Sequence, residues 1–434
     1  MDRRNFFLRG GAAAIAGALA ASCQDEPMKL AAPSGGDDWD FVRNQFILAP
    51  DKIELSAMFI TSHPKPVREA IDRYRQELDQ NPTSYLREQL NSHENEVLSA
   101  AADYLGAKPA EIALTDSTTM GLGLVYNGLK LLPGQQILTT VHDYYATHES
   151  LRLAAERSGA QVREIQLYQQ EQTVSVDEIV NNIRNALVPE TRVLALTWVH
   201  SSTGLKLPLK QITAVIAEAN ANRDEQQKIL TCIDGVHGFG IEDLAINETG
   251  CDFFMAGCHK WLFGPRGTGI VWGNKRAWDA ANPIIPTFMD DEVRNAWMLD
   301  NEPPNRTTAK QMTPGGFKAF EHQWAMADAF KFHLDIGKAR IAARTHELSR
   351  QFKEGLAAMS HVKLYTPRDE NLSAGIDCFD VEGMSARDIV GRLRQRGIIA
   401  TTTPYARSHA RVSPSIRNSP AEIETTLREI RALA

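Results

Sequence analysis

Asp234 and Lys260 are the two residues whose types and surroundings best fit catalytic chemistry. Asp234 closes the apolar run Ile229-Leu-Thr-Cys-Ile-Asp-Gly-Val-His237. Lys260 lies in Ala256-Gly-Cys-His-Lys-Trp-Leu-Phe-Gly-Pro-Arg-Gly-Thr-Gly269. A lone lysine is ordinarily a solvated surface charge. This one is bracketed by Phe253-Phe-Met, by Trp261-Leu-Phe and by a Gly-Pro-Arg-Gly turn, which is poor company for an exposed ammonium. An acid at a strand end followed by such a lysine suits pyridoxal 5'-phosphate (PLP). The amine forms a Schiff base with the cofactor aldehyde. The carboxylate faces the ring nitrogen and keeps it protonated, so the ring accepts electrons from a bond breaking at a substrate Cα.

Other segments supply what such a site needs. Thr115-Asp-Ser-Thr-Thr-Met-Gly121 lies between a strand and a helix. Its hydroxyls and free backbone N–H groups make an anion site, which assigns Ser117, Thr118 and Thr119 to the phosphate; plain helix capping is the alternative. Tyr144, in Val141-His-Asp-Tyr-Tyr-Ala-Thr147, is placed to stack on the pyridine ring, with core packing as the alternative and His142 as a weaker candidate. Ser201 or His200 can reach the cofactor's phenolic oxygen or the substrate, or serve only as turn residues. His237 can hydrogen-bond the phenolic oxygen or be structural. His259 bounds the same pocket and can meet the phosphate. Gly316, in Thr313-Pro-Gly-Gly-Phe317, can close a phosphate site across a subunit boundary or be a plain loop. Arg411 offers a fork that matches a substrate α-carboxylate.

The elements that must position these groups alternate. Strands are expected at 111–115, 136–140, 162–167, 192–197 and 228–234. Helices are expected at 84–104, 121–132, 149–159, 175–186 and 209–222. This spacing predicts an α/β fold with a mostly parallel sheet covered by helices, and ligands bind beyond the carboxyl ends of such strands. From 321 the pattern changes. A long helical stretch, 321–358, precedes strands at 362–365 and 373–379, a helix at 385–396 and a terminal helix from Pro420, as in a smaller α+β domain. The expected organisation is a leader (1–30), an N-terminal segment (31–60), a large cofactor-binding domain (61–320) and a small C-terminal domain (321–434).

The chain has 434 residues and a net charge of −7, with no basic patch that would suit nucleic acid. Its five cysteines form no disulfide framework and no pair has zinc-ligand spacing, so no metal site is expected. The N-terminus differs in kind. Arg3-Arg4, followed by Phe6-Phe7 and the weakly apolar stretch from Gly11 to Ser22, has the arrangement of a twin-arginine export signal. The translocase of that route is then a transient partner, and the expected location is the periplasm. Because the route carries folded proteins, a cofactor can be loaded first. Cys23 follows Leu19-Ala-Ala-Ser22, which admits either lipid anchoring or plain cleavage nearby.

Together these motifs resemble the class V aminotransferase group of fold-type I PLP enzymes, from about residue 45 to the C-terminus. Within it the lysine block is most similar to isopenicillin N epimerase-like enzymes. The resemblance implies a homodimer with sites at the subunit boundary and amino-acid or amino-acyl substrates. The cysteine desulfurase branch fits less well: no cysteine lies between Ile398 and Val412, where its mobile catalytic thiol belongs. A twin-arginine signal on a class V layout is similar to that of a periplasmic PLP enzyme of pyoverdine maturation, which modifies a glutamyl side chain of the siderophore precursor. The expected function is PLP-dependent chemistry at Cα: epimerisation, decarboxylation or oxidative conversion, or transamination. Alternatives are a C–S lyase and a PLP-binding accessory protein without turnover. A nucleotide-binding oxidoreductase is disfavoured, since no Gly-x-Gly-x-x-Gly follows the first strand.

Overall fold

The computed structural model describes residues 38–433. The twin-arginine pair and Cys23 lie outside the described residues. Seven strands form the main sheet: β1 (Ile112–Thr115), β2 (Gln136–Thr140), β3 (Gln161–Ile165), β4 (Thr191–Thr197), β5 (Leu230–Asp234), β6 (Phe253–Gly257) and β7 (Gly269–Gly273). Their spatial order is β1-β7-β6-β5-β4-β2-β3. Strands β2 to β6 run parallel, and β7 runs antiparallel to both β1 and β6.

Every residue of β4, β5 and β6 is buried, as expected where helices cover both faces of a sheet. Alternation along each strand feeds two separate cores. Leu194, Ile233 and Phe254 join one; Val193, Cys232 and Phe253 join the other. β3 is one of the two edge strands, and its Arg163 and Glu164 are exposed, which disfavours pairing with a further strand.

Parallel strands need crossover connections. The relevant helices are α1 (Thr118–Gly128), α2 (Tyr145–Ser158), α3 (Val176–Ala186) and α4 (Leu209–Asn220). Ser117 caps α1 by accepting from the Met120 N–H at 3.1 Å, and Ser175 caps α3 in the same way. Thr140, Thr197, Asp234 and Gly257 end four neighbouring strands, so the loops that follow them meet at one edge of the sheet.

A second, antiparallel sheet follows, ordered β10-β11-β9-β8 from β8 (Val362–Leu364), β9 (Asp377–Val381), β10 (Thr401–Thr402) and β11 (Ala410–Val412). It packs with α5 (Lys338–Ala357), α6 (Ala386–Gln395) and α7 (Pro420–Arg431) around Phe352, Phe379, Ile389 and Ile423. Ile53–Glu54 pairs in parallel with Ile398–Ile399, which ties the N-terminal segment to this part of the chain.

Several boundaries differ from the periodicity. The expected helix 321–358 is three helices, Phe320–Trp324, Met326–Ile336 and Lys338–Ala357. The last break falls at Gly337, whose φ of +94° no helix accommodates. α1 starts at Thr118 rather than 121 and ends at Gly128 rather than 132. The strand expected from 373 begins at Asp377. Among the described residues no group of side chains forms a metal site and no helix is long and apolar enough to cross a membrane. The four described cysteines are free and buried.

Candidate active site

A cavity of about 700 Å³ opens at the carboxyl edge of the main sheet, between it, the N-terminal segment and the second sheet. Lys260, Asp234, His237, His259, Tyr144 and Arg411 all line it. Thr118, Thr119 and Ser201 do so as well. Residues far apart in sequence therefore converge as the strand ends require.

The Lys260 loop is closed on itself. The Phe263 N–H donates to the Lys260 carbonyl at 3.0 Å and the Gly264 N–H to that of Cys258 at 2.8 Å. Thr61 Oγ1 donates to the Lys260 carbonyl at 2.8 Å, so the N-terminal segment braces the lysine backbone. Phe263 holds φ +57°, a left-handed conformation that bulky residues seldom adopt. The loop after Asp234 packs directly on this one. At Gly240, φ is +95° and a Cβ would lie 2.7 Å from the Leu262 nitrogen, so only glycine allows the approach.

The Lys260 amine is buried and shifted below the usual lysine range, first by burial and also by Arg411, while Asp234 opposes the shift. Burial pushes the Asp234 carboxyl up. One of its oxygens accepts from the Val236 N–H at 3.1 Å; among the described residues the other makes no hydrogen bond. A cationic ring N–H beside that oxygen would favour the carboxylate and reverse the burial effect.

His237 lies at the bottom of the cavity. Its Nδ1 accepts from the Trp261 indole N–H at 3.4 Å, which places the imidazole proton on Nε2. Burial holds its pKa well below the ordinary value, so this is a neutral donor. Arg411 is buried and oriented on three sides. It donates from Nε to Thr401 Oγ1 at 3.0 Å, from Nη1 to the Ser201 carbonyl at 2.7 Å and from Nη2 to the Thr402 carbonyl at 3.1 Å. One N–H on each terminal nitrogen remains for a ligand carboxylate.

The expected phosphate residues separate. Ser117 serves as the helix cap and does not line the cavity. Thr118 lines it, though its Oγ1 accepts from the Gly257 N–H at 2.7 Å. Thr119 faces the cavity at the first turn of α1. His259 Nδ1 is buried with no hydrogen-bond partner, and burial lowers this histidine to about 4. An unpartnered ring nitrogen beside a helix N-terminus is the donor set a phosphate needs, and with Lys260 and Asp234 the residues present fit PLP.

Tyr144 is 37% exposed at the mouth, and its ring meets Tyr405 edge-on at 6.1 Å. Ser201 Oγ and the Tyr405 hydroxyl are hydrogen-bonded at 2.8 Å. His142 and His200 lie outside the cavity. His142 stacks on Tyr168 at 4.1 Å, and His200 is fully buried with neither nitrogen bonded. Gly316 also lies outside the walls formed by its own chain, in a loop with φ +112°.

Sequence reasoning missed several participants. Asp143 accepts from the Thr139 and Thr140 hydroxyls and from the Thr140 and Thr197 N–H groups. It thereby joins the ends of β2 and β4 and fixes the start of the Tyr144 loop. An acid three residues past a strand end and directly before the aromatic was its only signal. Met58 and Phe59, Arg387 and Arg394 of α6, and Thr401 and Thr402 also line the cavity. They come from segments whose periodicity spoke only of fold.

Fold and site together define a fold-type I PLP enzyme. The aminotransferase class-V family model matches residues 60–428, and the chain belongs to that family. It is 26% identical over 409 residues to isopenicillin N epimerase of Streptomyces clavuligerus, covering 92% of this chain and 97% of that protein. It is 24% identical over 412 residues to a probable cysteine desulfurase of Pyrococcus abyssi, covering 89% and 95%. Among solved structures, a C-DES mutant with glycine covalently linked to its PLP cofactor superposes with TM-score 0.79 at 21% identity, covering 90% of this chain and 98% of that one. The family is PLP-dependent.

Proposed function

We propose that this chain is an exported PLP-dependent enzyme acting at the Cα of an amino acid or amino-acyl group. The observation that carries the reading is the convergence of Lys260, Asp234 and Arg411 on one cavity. When bound, PLP supplies an electron sink for the pair released at Cα. Lys260 Nζ would hold the cofactor and, when free, move the proton at Cα. Asp234 would hold a proton at the cofactor's ring nitrogen, and His237 would donate from Nε2 to its phenolic oxygen. Thr118, Thr119 and His259 hold the phosphate. Tyr144 covers the ring face at the mouth. Arg411 would fix the α-carboxylate and so set the orientation of the substrate Cα.

A self-contained reaction, such as epimerisation, decarboxylation or oxidative conversion, is favoured over transamination, since keto-acid acceptors are scarce outside the cytoplasm. Likeness to isopenicillin N epimerases supports proton movement at Cα. The desulfurase relatives favour a second reading, C–S bond cleavage. Among the described residues no cysteine lines the cavity, and Cys378 is fully buried on β9 with its thiol pushed up to about 12. Sulfur transfer through a thiol of this chain is therefore disfavoured.

Export rests on Arg3-Arg4 and the apolar stretch after it, with a siderophore precursor of the pyoverdine type as the substrate of an enzyme so placed and Cys23 as the residue a lipid anchor would use. In a homodimer, Gly316 is the residue that closes the partner's phosphate site. Absorbance of the PLP-loaded protein, screened against amino acids and siderophore precursors, tests the chemistry; no spectral response to any of them contradicts it. Cell fractionation tests export. Arg3→Lys with Arg4→Lys is expected to retain the protein in the cytoplasm, and unchanged fractionation contradicts the signal.

A further inference from the structure

One wall of the cavity is unused by the chemistry at Lys260. Helix α6 turns a single stripe towards it: Arg387, Val390, Gly391 and Arg394. Separations of three and four residues keep these positions on one helix face. Arg387 and Arg394 are exposed, and among the described residues neither guanidinium makes an ion pair or hydrogen bond. Arg396, just beyond the helix, instead pairs with Glu429 at 2.8 Å.

Gly391 sits between the two arginines in mid-helix, where glycine is disfavoured relative to alanine. A Cβ there would meet no atom within 4 Å, so packing inside the chain does not demand glycine. It leaves the backbone bare towards the cavity, where a ligand chain can lie close. The charge balance points the same way. Asp234 is the single acid among the lining residues, and it sits beside Lys260. Among the described residues, the two outer guanidiniums therefore face no carboxylate. The helical rise sets their Cα atoms about 10 Å apart along the axis, a span that follows an extended side chain.

We propose that α6 is a specificity ridge: Arg387 and Arg394 bind a distal carboxylate of the substrate while Arg411 holds its α-carboxylate. The substrate class is an α-amino acid or amino-acyl group carrying a second anionic group beyond Cα. This deepens the proposed function and rests on it for the position of Cα.

The test is calorimetric titration of the PLP-loaded full chain with two matched pairs, L-glutamate against L-glutamine and L-2-aminoadipate against L-norleucine. Each acid is expected to bind at least about tenfold tighter than its neutral partner. Arg387→Glu with Arg394→Glu is expected to abolish that preference, leaving affinity for the neutral partners within about twofold and the cofactor absorbance unchanged. Arg392→Glu, on the same helix but off the cavity, keeps the preference. Equal binding of acid and neutral partners by the wild type, including no binding of either, overturns the ridge. So does a preference that survives the double substitution. The two readings fail separately: a preference without cofactor absorbance refutes the Lys260 assignment alone, and absorbance without a preference refutes the ridge alone.

Discussion

Arg411 is oriented before any ligand arrives, because Thr401, Thr402 and Ser201 already take one donor from each of its nitrogens. Such pre-orientation removes the entropy cost that a free arginine meets on binding. Lysine cannot reproduce it, since an ammonium lacks the planar fork. Arg411→Lys is therefore expected to raise KM on the order of 10²-fold with a smaller change in kcat, read from steady-state kinetics on any substrate the screen identifies. Equal KM values would remove the α-carboxylate role. The same residue illustrates what a sequence can carry. An arginine before the last helix was legible as a candidate carboxylate ligand. Its three fixing partners were not, because they come from segments joined to it only by folding.

At the scale of elements, buried charge is the clearest lever. Glu94 lies in the helix Pro82–Leu105, is 6% exposed, and is pushed up to about 7 by burial. In the unfolded chain it releases its proton near its ordinary value of 4.5. Between those values the folded chain holds a proton that the unfolded chain has lost, so stability falls as pH rises through this window. Glu94→Gln removes the penalty. The variant is expected to exceed the wild type by on the order of 1–3 kcal/mol at pH 8 and to match it near pH 4.5, measured by urea unfolding. A difference that does not vary with pH would contradict the assignment. Periodicity found the strands ending at Thr140, Thr197 and Asp234 because their apolar runs are bounded by polar loops. It gave no strand at β6 or β7, because the apolar runs on either side of Lys260 were read only as the lysine's surroundings. Nor did it break the helical stretch at Gly337, since one glycine within an amphipathic pattern leaves the period intact.

At the scale of the whole molecule, several large aromatics stand bare at the surface. Phe288 and Phe317 are 62% and 84% exposed. Their loops are joined by the Gly315 N–H donating to the Pro286 carbonyl at 2.8 Å. Trp297 is 80% exposed as well. A monomer seldom leaves aromatics so bare, and Gly316 lies beside Phe317, away from its own cavity wall. Light scattering is expected to give a dimer. Phe317→Glu is expected to shift it towards monomer and to weaken PLP retention in parallel. A wild-type monomer that binds PLP fully would contradict the shared site. The class of fold was readable from strand–helix alternation; the cavity's outer wall was not, because α6 reads from its sequence as an ordinary amphipathic helix.

The covalent link between Lys260 and PLP bears most of the account, and borohydride reduction of the PLP-loaded protein followed by peptide mass mapping tests it most directly. The expected result is a phosphopyridoxyl group on the peptide that contains Lys260, absent from Lys260→Ala. A reduced adduct on a different lysine, or none at all, would contradict it.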